Sequence, residues 1–234
     1  KEKKKIVVAT ESEFAPFEFK SLVNGKDTLV GADIELAKAI GEKLGVKVEF
    51  SVMSFDNVLA NVQSGKADIA IAGISVTDER KKVYDFSDSY YTSENVVIVK
   101  KDKVNDYTST DSLAKQTVGT QKGSVQETVA KKQIPKASVV SLASNGEMIN
   151  ELKSGQLQAV VLEKAIAEGY IAQNDDLTLA NFNLKSDGTD AYAVATRKGS
   201  DDLLKEINAV IKETKDSGKF DQWLKEASTY KQSK

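Results

Sequence analysis

Two twenty-residue stretches of this 234-residue chain follow the same grammar, and that repetition constrains the fold more than any other feature. Ser54–Gly73 reads SFDNVLANVQSGKADIAIAG, and Ser144–Glu163 reads SNGEMINELKSGQLQAVVLE. In the first, Phe55, Val58, Leu59 and Val62 follow the i, i+3, i+4, i+7 spacing of one helix face. In the second, Met148, Ile149 and Leu152 mark the helix. Each helix runs into a Ser-Gly turn, Ser64-Gly65 or Ser154-Gly155. Each turn leads into an apolar run, Ile69–Ala72 or Ala159–Leu162, of the kind that forms a strand buried on both faces. Identity between the stretches is weak and fits generic βαβ grammar, but the shared order predicts two small, similar α/β lobes.

The flanking sequence extends the pattern. Ile6–Ala9 reads as a strand, Glu11–Pro16 as a loop, and Gly25 with Asp27 as a turn. Ile34, Ala37, Ile40 and Leu44 share a helix face that Gly45 can end. Val46, Val48, Phe50 and Val52 alternate as a strand does. Strand and helix alternating through Ala72 predict a parallel sheet. The pattern restarts with strands at Val96–Val99, Thr117–Thr120 and Val139-Val140. Ser124 with Glu127, and Ser144 with Glu147, have capping-box spacing. A strand at Tyr192–Ala195 follows, then helices carried by Leu203, Leu204, Ile207, Val210 and Ile211, and by Phe220, Trp223, Leu224 and Ala227. Open α/β sheets bind ligands beyond the carboxyl ends of their strands. Four such ends stand out: Thr10-Glu11, Gly73-Ile74-Ser75, Thr120–Ser124 and Leu162-Glu163.

Composition narrows the chemistry. The chain has no Cys and no His, which excludes disulfides, thiolate metal sites, Cys nucleophiles and Ser-His-Asp catalysis. Carboxylate or lysine chemistry stays open, and binding is favoured over catalysis. A net charge of -2 argues against a nucleic-acid partner. The Lys-rich start reads as a solvated terminus. No apolar run approaches the roughly 20 residues of a membrane span. No P-loop or G-x-G-x-x-G occurs, and Asp85, Asp88 and Asp102 lack EF-hand spacing, so neither a cofactor nor a metal is expected. No secretory leader is read, which leaves open a cytosolic chain or a mature exported one.

Arg80 is one of only two arginines, the other being Arg197. Lysine serves elsewhere, so Arg80 points to a task for the planar guanidinium fork, such as holding a carboxylate. A surface ion pair with Asp78 or Asp85 explains it equally well. Glu163 ends a strand, where a carboxylate can accept from an ammonium; favouring the start of the next helix is an equal explanation. Phe14, Phe17, Phe19 and Phe55 read as core, although Phe14 lies in a loop after a strand end. Gly123-Ser124 opens a helix whose free N–H groups can receive an anion.

Together these motifs resemble the extracytoplasmic solute-binding proteins of polar amino-acid ABC transporters, bacterial solute-binding protein family 3. The resemblance rests on Ala9-Thr10-Glu11, Phe14–Phe19, Gly31–Ile40, Gly65–Asp68, Gly73–Thr77 with Arg80, Phe86-Ser87, Tyr90-Tyr91, Gly119-Thr120 and Gly123–Glu127, and spans nearly the whole chain. It implies a two-lobe α/β fold of the type II periplasmic-binding-protein kind, with two crossover hinge strands. Lobe one would comprise residues 1–93 and 190–234, and lobe two residues 94–189. It also implies an amino acid held between the lobes, closing about a hinge near Ser93–Val96 and Ser186–Ala191. Arg80, with backbone N–H groups near Ser75 and Ser124, would hold the α-carboxylate. Glu163, where the family often has Asp, would hold the α-ammonium with Ser75 and the carbonyl of Gly73, beside Ile74. Phe14 and Phe55 would sandwich the side chain, and Glu11 and Gln121 would read its polar end. The expected ligand is arginine or lysine, with glutamine as the alternative. A fold-sharing enzyme, such as a prephenate- or arogenate-type dehydratase or a lytic transglycosylase, is the rival class. The expected partner is a membrane permease, with no nucleic acid. The protein would be an extracytoplasmic monomer, periplasmic or lipid-anchored at the cell surface.

Overall fold

The computed structural model describes residues 4–92, 94–186 and 191–233. The chain runs β1 (Lys5–Thr10), β2 (Glu13–Phe14), β3 (Glu18–Val23), β4 (Lys26–Val30), α1 (Ala32–Leu44), β5 (Lys47–Val52), α2 (Phe55–Gln63), β6 (Ile69–Ala70), α3 (Asp78–Lys81), β7 (Tyr84–Phe86) and β8 (Tyr91–Thr92). It continues through β9 (Asn95–Lys100), β10 (Thr117–Gln121), α4 (Val125–Gln133), β11 (Ser138–Leu142), α5 (Asn145–Ser154), β12 (Ala159–Glu163), α6 (Lys164–Gln173) and β13 (Leu177–Leu179). It returns with β14 (Ala191–Tyr192), β15 (Ala195–Arg197), α7 (Asp201–Asp216) and α8 (Lys219–Ala227). Two compact units result: one contains the residues up to Thr92 and those from Ala191 onward, the other the residues between. Much of the expected hinge, Ser93 and residues 187–190, lies outside the described residues.

The first unit is built on a sheet ordered β5-β1-β6-β15-β7. β1 pairs in parallel with β5 and β6, while β15 pairs antiparallel with β6 and β7. The three strands of the strand–helix alternation, β1, β5 and β6, are parallel as that alternation predicts, and β15 runs against them. β15 arrives from the distant end of the chain, so no βα crossover forces its direction. The predicted Tyr192–Ala195 strand also divides: Tyr192 pairs with β8, and Ala195 joins the main sheet. α2 packs on one face over Ala9, Ala70, Ala72 and Ile74, while α7 and α8 pack with α1. Gly45, at φ 67°, ends α1 in the left-handed conformation. The segment read as a simple turn is a hairpin, β3–β4, closed by Asn24 and Gly25, both at positive φ.

The second unit repeats the design. Its sheet order is β11-β10-β12-β9-β13, with β10 parallel to β11 and β12, and β9 antiparallel to β12 and β13. In both units three parallel strands are followed by one reversed strand, β15 or β9, and then by one that runs with the first three, β7 or β13, which is the architectural content of the sequence repeat. The Ser124 hydroxyl accepts the Glu127 N–H at 3.3 Å, and the Ser144 hydroxyl accepts that of Glu147 at 3.2 Å. Both serines thus cap their helices as the spacing predicted.

Candidate ligand-binding site

Strand register gathers the candidates at one edge of each sheet. In the first unit Ala9 lies opposite Ala70, so Glu11, two residues on, is level with Ala72 and adjoins Gly73. In the second unit Gly119 lies opposite Val160, which places Gln121 level with Leu162 and beside Glu163. The two edges are equivalent in the repeat. Glu11, Gln121 and Glu163 are all buried, at 2%, 2% and 0% exposure. Carboxylates so withdrawn from water need compensating donors or cations.

Arg80 sits in the one-turn helix α3, whose start is capped by the Thr77 hydroxyl accepting the Arg80 N–H at 3.1 Å. Its Nη1 donates to the Ser75 carbonyl at 2.8 Å, and its Cζ lies 5.8 Å from the centre of the Phe55 ring. This is cation–π geometry, and it ties the guanidinium to the loop that follows β6. Burial pulls the Arg80 pKa down, so the environment works against a bare cation. Asp85, one of the surface partners considered, instead meets Lys198 at 3.4 Å and accepts the Gly199 N–H at 2.9 Å. The second arginine serves the fold: Arg197 Nη1 bonds the carbonyls of Val62 and Ala67.

Phe14 and Phe55 lie side by side, centroids 6.3 Å apart and planes 26° apart. A planar group stacked between them would need about 7 Å, twice a ~3.5 Å contact. As placed, they form a wall rather than an open slot. Ile74 is a core side chain whose carbonyl accepts the Ala193 N–H at 3.0 Å, so only its backbone N–H can serve a ligand. Gly73 adopts φ +59°, and a Cβ there would stand 2.6 Å from Phe14 Cε2. Gly73→Ala is expected to cost about 1–3 kcal/mol from left-handed strain and displacement of Phe14. A lower urea midpoint at unchanged slope measures this; an unchanged midpoint would show that the turn relaxes freely.

In the second unit, the Gln121 side-chain amide donates to the Ala143 carbonyl at 3.3 Å, and the main-chain carbonyl of Gln121 accepts the Ser124 hydroxyl at 2.6 Å. Gln121 and Ser124 thus lock the loop that leads into α4. Glu163 does two jobs. Its Oε2 accepts the N–H groups of Ala165 at 2.9 Å and Ile166 at 3.3 Å, capping α6. Its Oε1 is buried with no well-formed hydrogen bond from the described residues, although the Glu94 N–H also bears on the carboxyl. Burial raises the carboxyl to about 7 against the opposing pull of these N–H groups. The helix-start explanation is therefore correct for Oε2, while Oε1 is left as a buried acceptor.

Two residues near Gly73 escaped the sequence reading as site residues. Glu18 and Asp33 are fully buried, and Asp33 Oδ2 accepts the Gly73 N–H at 2.9 Å. Their signal is an acidic residue within an otherwise apolar run: Phe17-Glu18-Phe19 and Ala32-Asp33-Ile34.

Known proteins match this arrangement along nearly the whole chain. The family described as bacterial extracellular solute-binding proteins, family 3, matches residues 6–227. The arginine-binding extracellular protein ArtP of Bacillus subtilis strain 168 is 35% identical, over 95% of this chain and 86% of its own length. A crystal structure of the amino-acid ABC transporter substrate-binding protein AbpA from Streptococcus pneumoniae Canada MDR_19A, bound to L-arginine, is 51% identical with a TM-score of 0.93. It covers 96% of this chain and 94% of its own. An ancestral arginine-binding protein bound to glutamine is 40% identical with a TM-score of 0.86, covering 97% and 98% of the two chains. The chain belongs to the bacterial extracellular solute-binding proteins of family 3, a transport family rather than an enzyme family, with the mixed α/β fold of its two-lobe relatives.

Proposed function

We propose that this protein captures L-arginine outside the cytoplasm, as a monomer, and delivers it to the membrane permease of an ABC importer, without catalysis. The observation that carries this is made within each unit by itself: a half-buried Arg80 guanidinium held to the Ser75 carbonyl in one, and a buried Glu163 Oε1 at the end of β12 in the other. These are the opposite charges that an α-carboxylate and an α-ammonium require. In this reading the ligand draws partners from both lobes, whose bounds are proposed from the sequence as 1–93 with 190–234 and 94–189, one residue from the compact units at each crossing. Arg80 and the N–H groups near Ser75 and Ser124 take the carboxylate. Glu163, Ser75 and the Gly73 carbonyl take the ammonium. The side chain lies along Phe14 and Phe55, and its far end meets Glu11 and Gln121. Arginine is favoured because Glu11 brings a buried acid to the Gly73 edge, and the likeness to arginine-bound AbpA supports the choice. Glutamine is the second reading: the ancestral arginine-binding protein was crystallised with it, and Gln121 offers an amide.

Glu11→Gln separates the two. It preserves size and removes charge, so it is expected to weaken arginine by about 2–5 kcal/mol while changing glutamine far less. Calorimetric titration of both ligands into both proteins gives the ratio. A wild type that prefers glutamine, or a ratio that does not move, defeats the arginine assignment.

A further inference from the structure

The two buried carboxyls beside Gly73 form a unit. Glu18 opens β3 and Asp33 lies in the first turn of α1. Asp33 Oδ2 accepts the Gly73 N–H at 2.9 Å and the Tyr90 hydroxyl at 3.1 Å. Both Glu18 oxygens and Asp33 Oδ1 are buried and receive no N–H or O–H from the described residues. Yet the two carboxyls stand within hydrogen-bonding reach of each other. Two touching anions in a dry interior repel strongly, whereas one proton between them converts repulsion into a charge-assisted hydrogen bond.

The surroundings give no relief to a second charge. Glu11 is the other charged group bearing on Glu18, and it too is acidic; Tyr90 adds a phenol next to Asp33, and Tyr192 another next to Tyr90. We propose that Glu18 and Asp33 share one proton and act as a positioning pair: Glu18 donates to Asp33, and Asp33 fixes the Gly73 N–H and with it the backbone offered to the ligand. Asp33 already accepts from Gly73 and Tyr90, while both Glu18 oxygens receive no donor among the described residues, so the proton resides on Glu18; burial holds both carboxyls above their ordinary range. Asp33 then accepts from three donors at once: Glu18, Tyr90 and Gly73. The link to ligand binding rests on the function proposed above; the shared proton does not.

Glu18→Gln keeps a donor toward Asp33, whereas Glu18→Leu removes it. Two readouts need no ligand. At pH about 8.5, where Glu163 is ionised, infrared spectra of wild type should show a protonated-carboxyl band that is missing in Glu18→Gln. The Gly73 amide should keep its slow hydrogen exchange in Glu18→Gln and lose it in Glu18→Leu. The third readout is L-arginine affinity: within about threefold of wild type for Glu18→Gln, and down about tenfold or more for Glu18→Leu. Wild type alone should also weaken at alkaline pH, as the shared proton leaves, relative to Glu18→Gln. If Glu18→Leu does not fold, the band, the pH profile and Glu18→Gln still decide. A missing band, or a Glu18→Gln protein with rapid Gly73 exchange, overturns the pair. Wild type that fails to bind arginine overturns only the ligand assignment, and the two ligand-free readouts then judge the pair.

Discussion

Replacing Arg80 by alanine is expected to lower L-arginine affinity about 30-fold or more while the protein stays folded. Removing one partner from a buried charge pair typically costs about 2–5 kcal/mol, and about 2 kcal/mol corresponds to that factor. Among its contacts within the protein, the Arg80 guanidinium donates to the Ser75 carbonyl and lies over the Phe55 ring. Losing these should cost roughly 1 kcal/mol of stability, too little to unfold a domain. Arg80→Lys is informative because charge survives while the planar fork does not. It should still bind more weakly than wild type, since a lysine ammonium cannot hold the Ser75 carbonyl and a carboxylate in one plane. Calorimetry on variants with native circular dichroism reads both effects. Near-native affinity in folded Arg80→Ala would remove Arg80 from the site.

Arg80 stood out in the sequence because it is rare, and the structure holds it to the Ser75 carbonyl and over the Phe55 ring. Rarity did not give the reason, and Arg197, equally rare, turns out to clamp two backbone carbonyls. The paired helix–turn–strand stretches carried the architecture well, down to the Ser-Gly turns and the Ser144 cap, although Ser54 makes no side-chain cap. The strand directions were harder. Periodicity fixes which face of β15 or β9 is buried but contains nothing about which way the strand runs. That depends on where the chain has come from. The β3–β4 hairpin was visible in Asn24-Gly25 as a type of turn with positive φ at both positions, a signal passed over in favour of Gly25 and Asp27. Glu18 and Asp33 are a different failure. A lone acidic residue in an apolar run looks like a helix-start preference or an exposed interruption, and only packing shows that the two meet. For Glu163 both explanations were present in the sequence; the structure shows the helix cap on Oε2 and leaves the ammonium role to the proposed function.

Burial gives Glu163 a pH signature. Its carboxyl sits at about 7 in the folded protein against an ordinary 4.5, because burial outweighs the N–H groups of Ala165, Ile166 and Glu94. An acid whose folded pKa is raised binds its proton more tightly folded than unfolded. Its contribution to stability is therefore complete below the unfolded value, declines between about 4.5 and about 7, and is flat above. The span corresponds to about 3 kcal/mol at most. Ligand binding should run the other way. An α-ammonium needs the ionised carboxylate, so affinity for L-arginine should be full above pH 7 and fall as the free protein takes up its proton. At a pH about one unit below that value, roughly nine-tenths of the carboxyl is protonated, and affinity should be down about tenfold with nearly one proton released on binding. Glu163→Gln retains an oxygen to cap α6 but cannot titrate. It should bind arginine more weakly at every pH, with the acid limb and the proton release both abolished, and its unfolding free energy should no longer carry this slope between pH 4.5 and 7. Titration in buffers of different ionisation enthalpy counts the proton directly. Equal proton release in wild type and Glu163→Gln would place the titrating group elsewhere and deprive Glu163 of the ammonium.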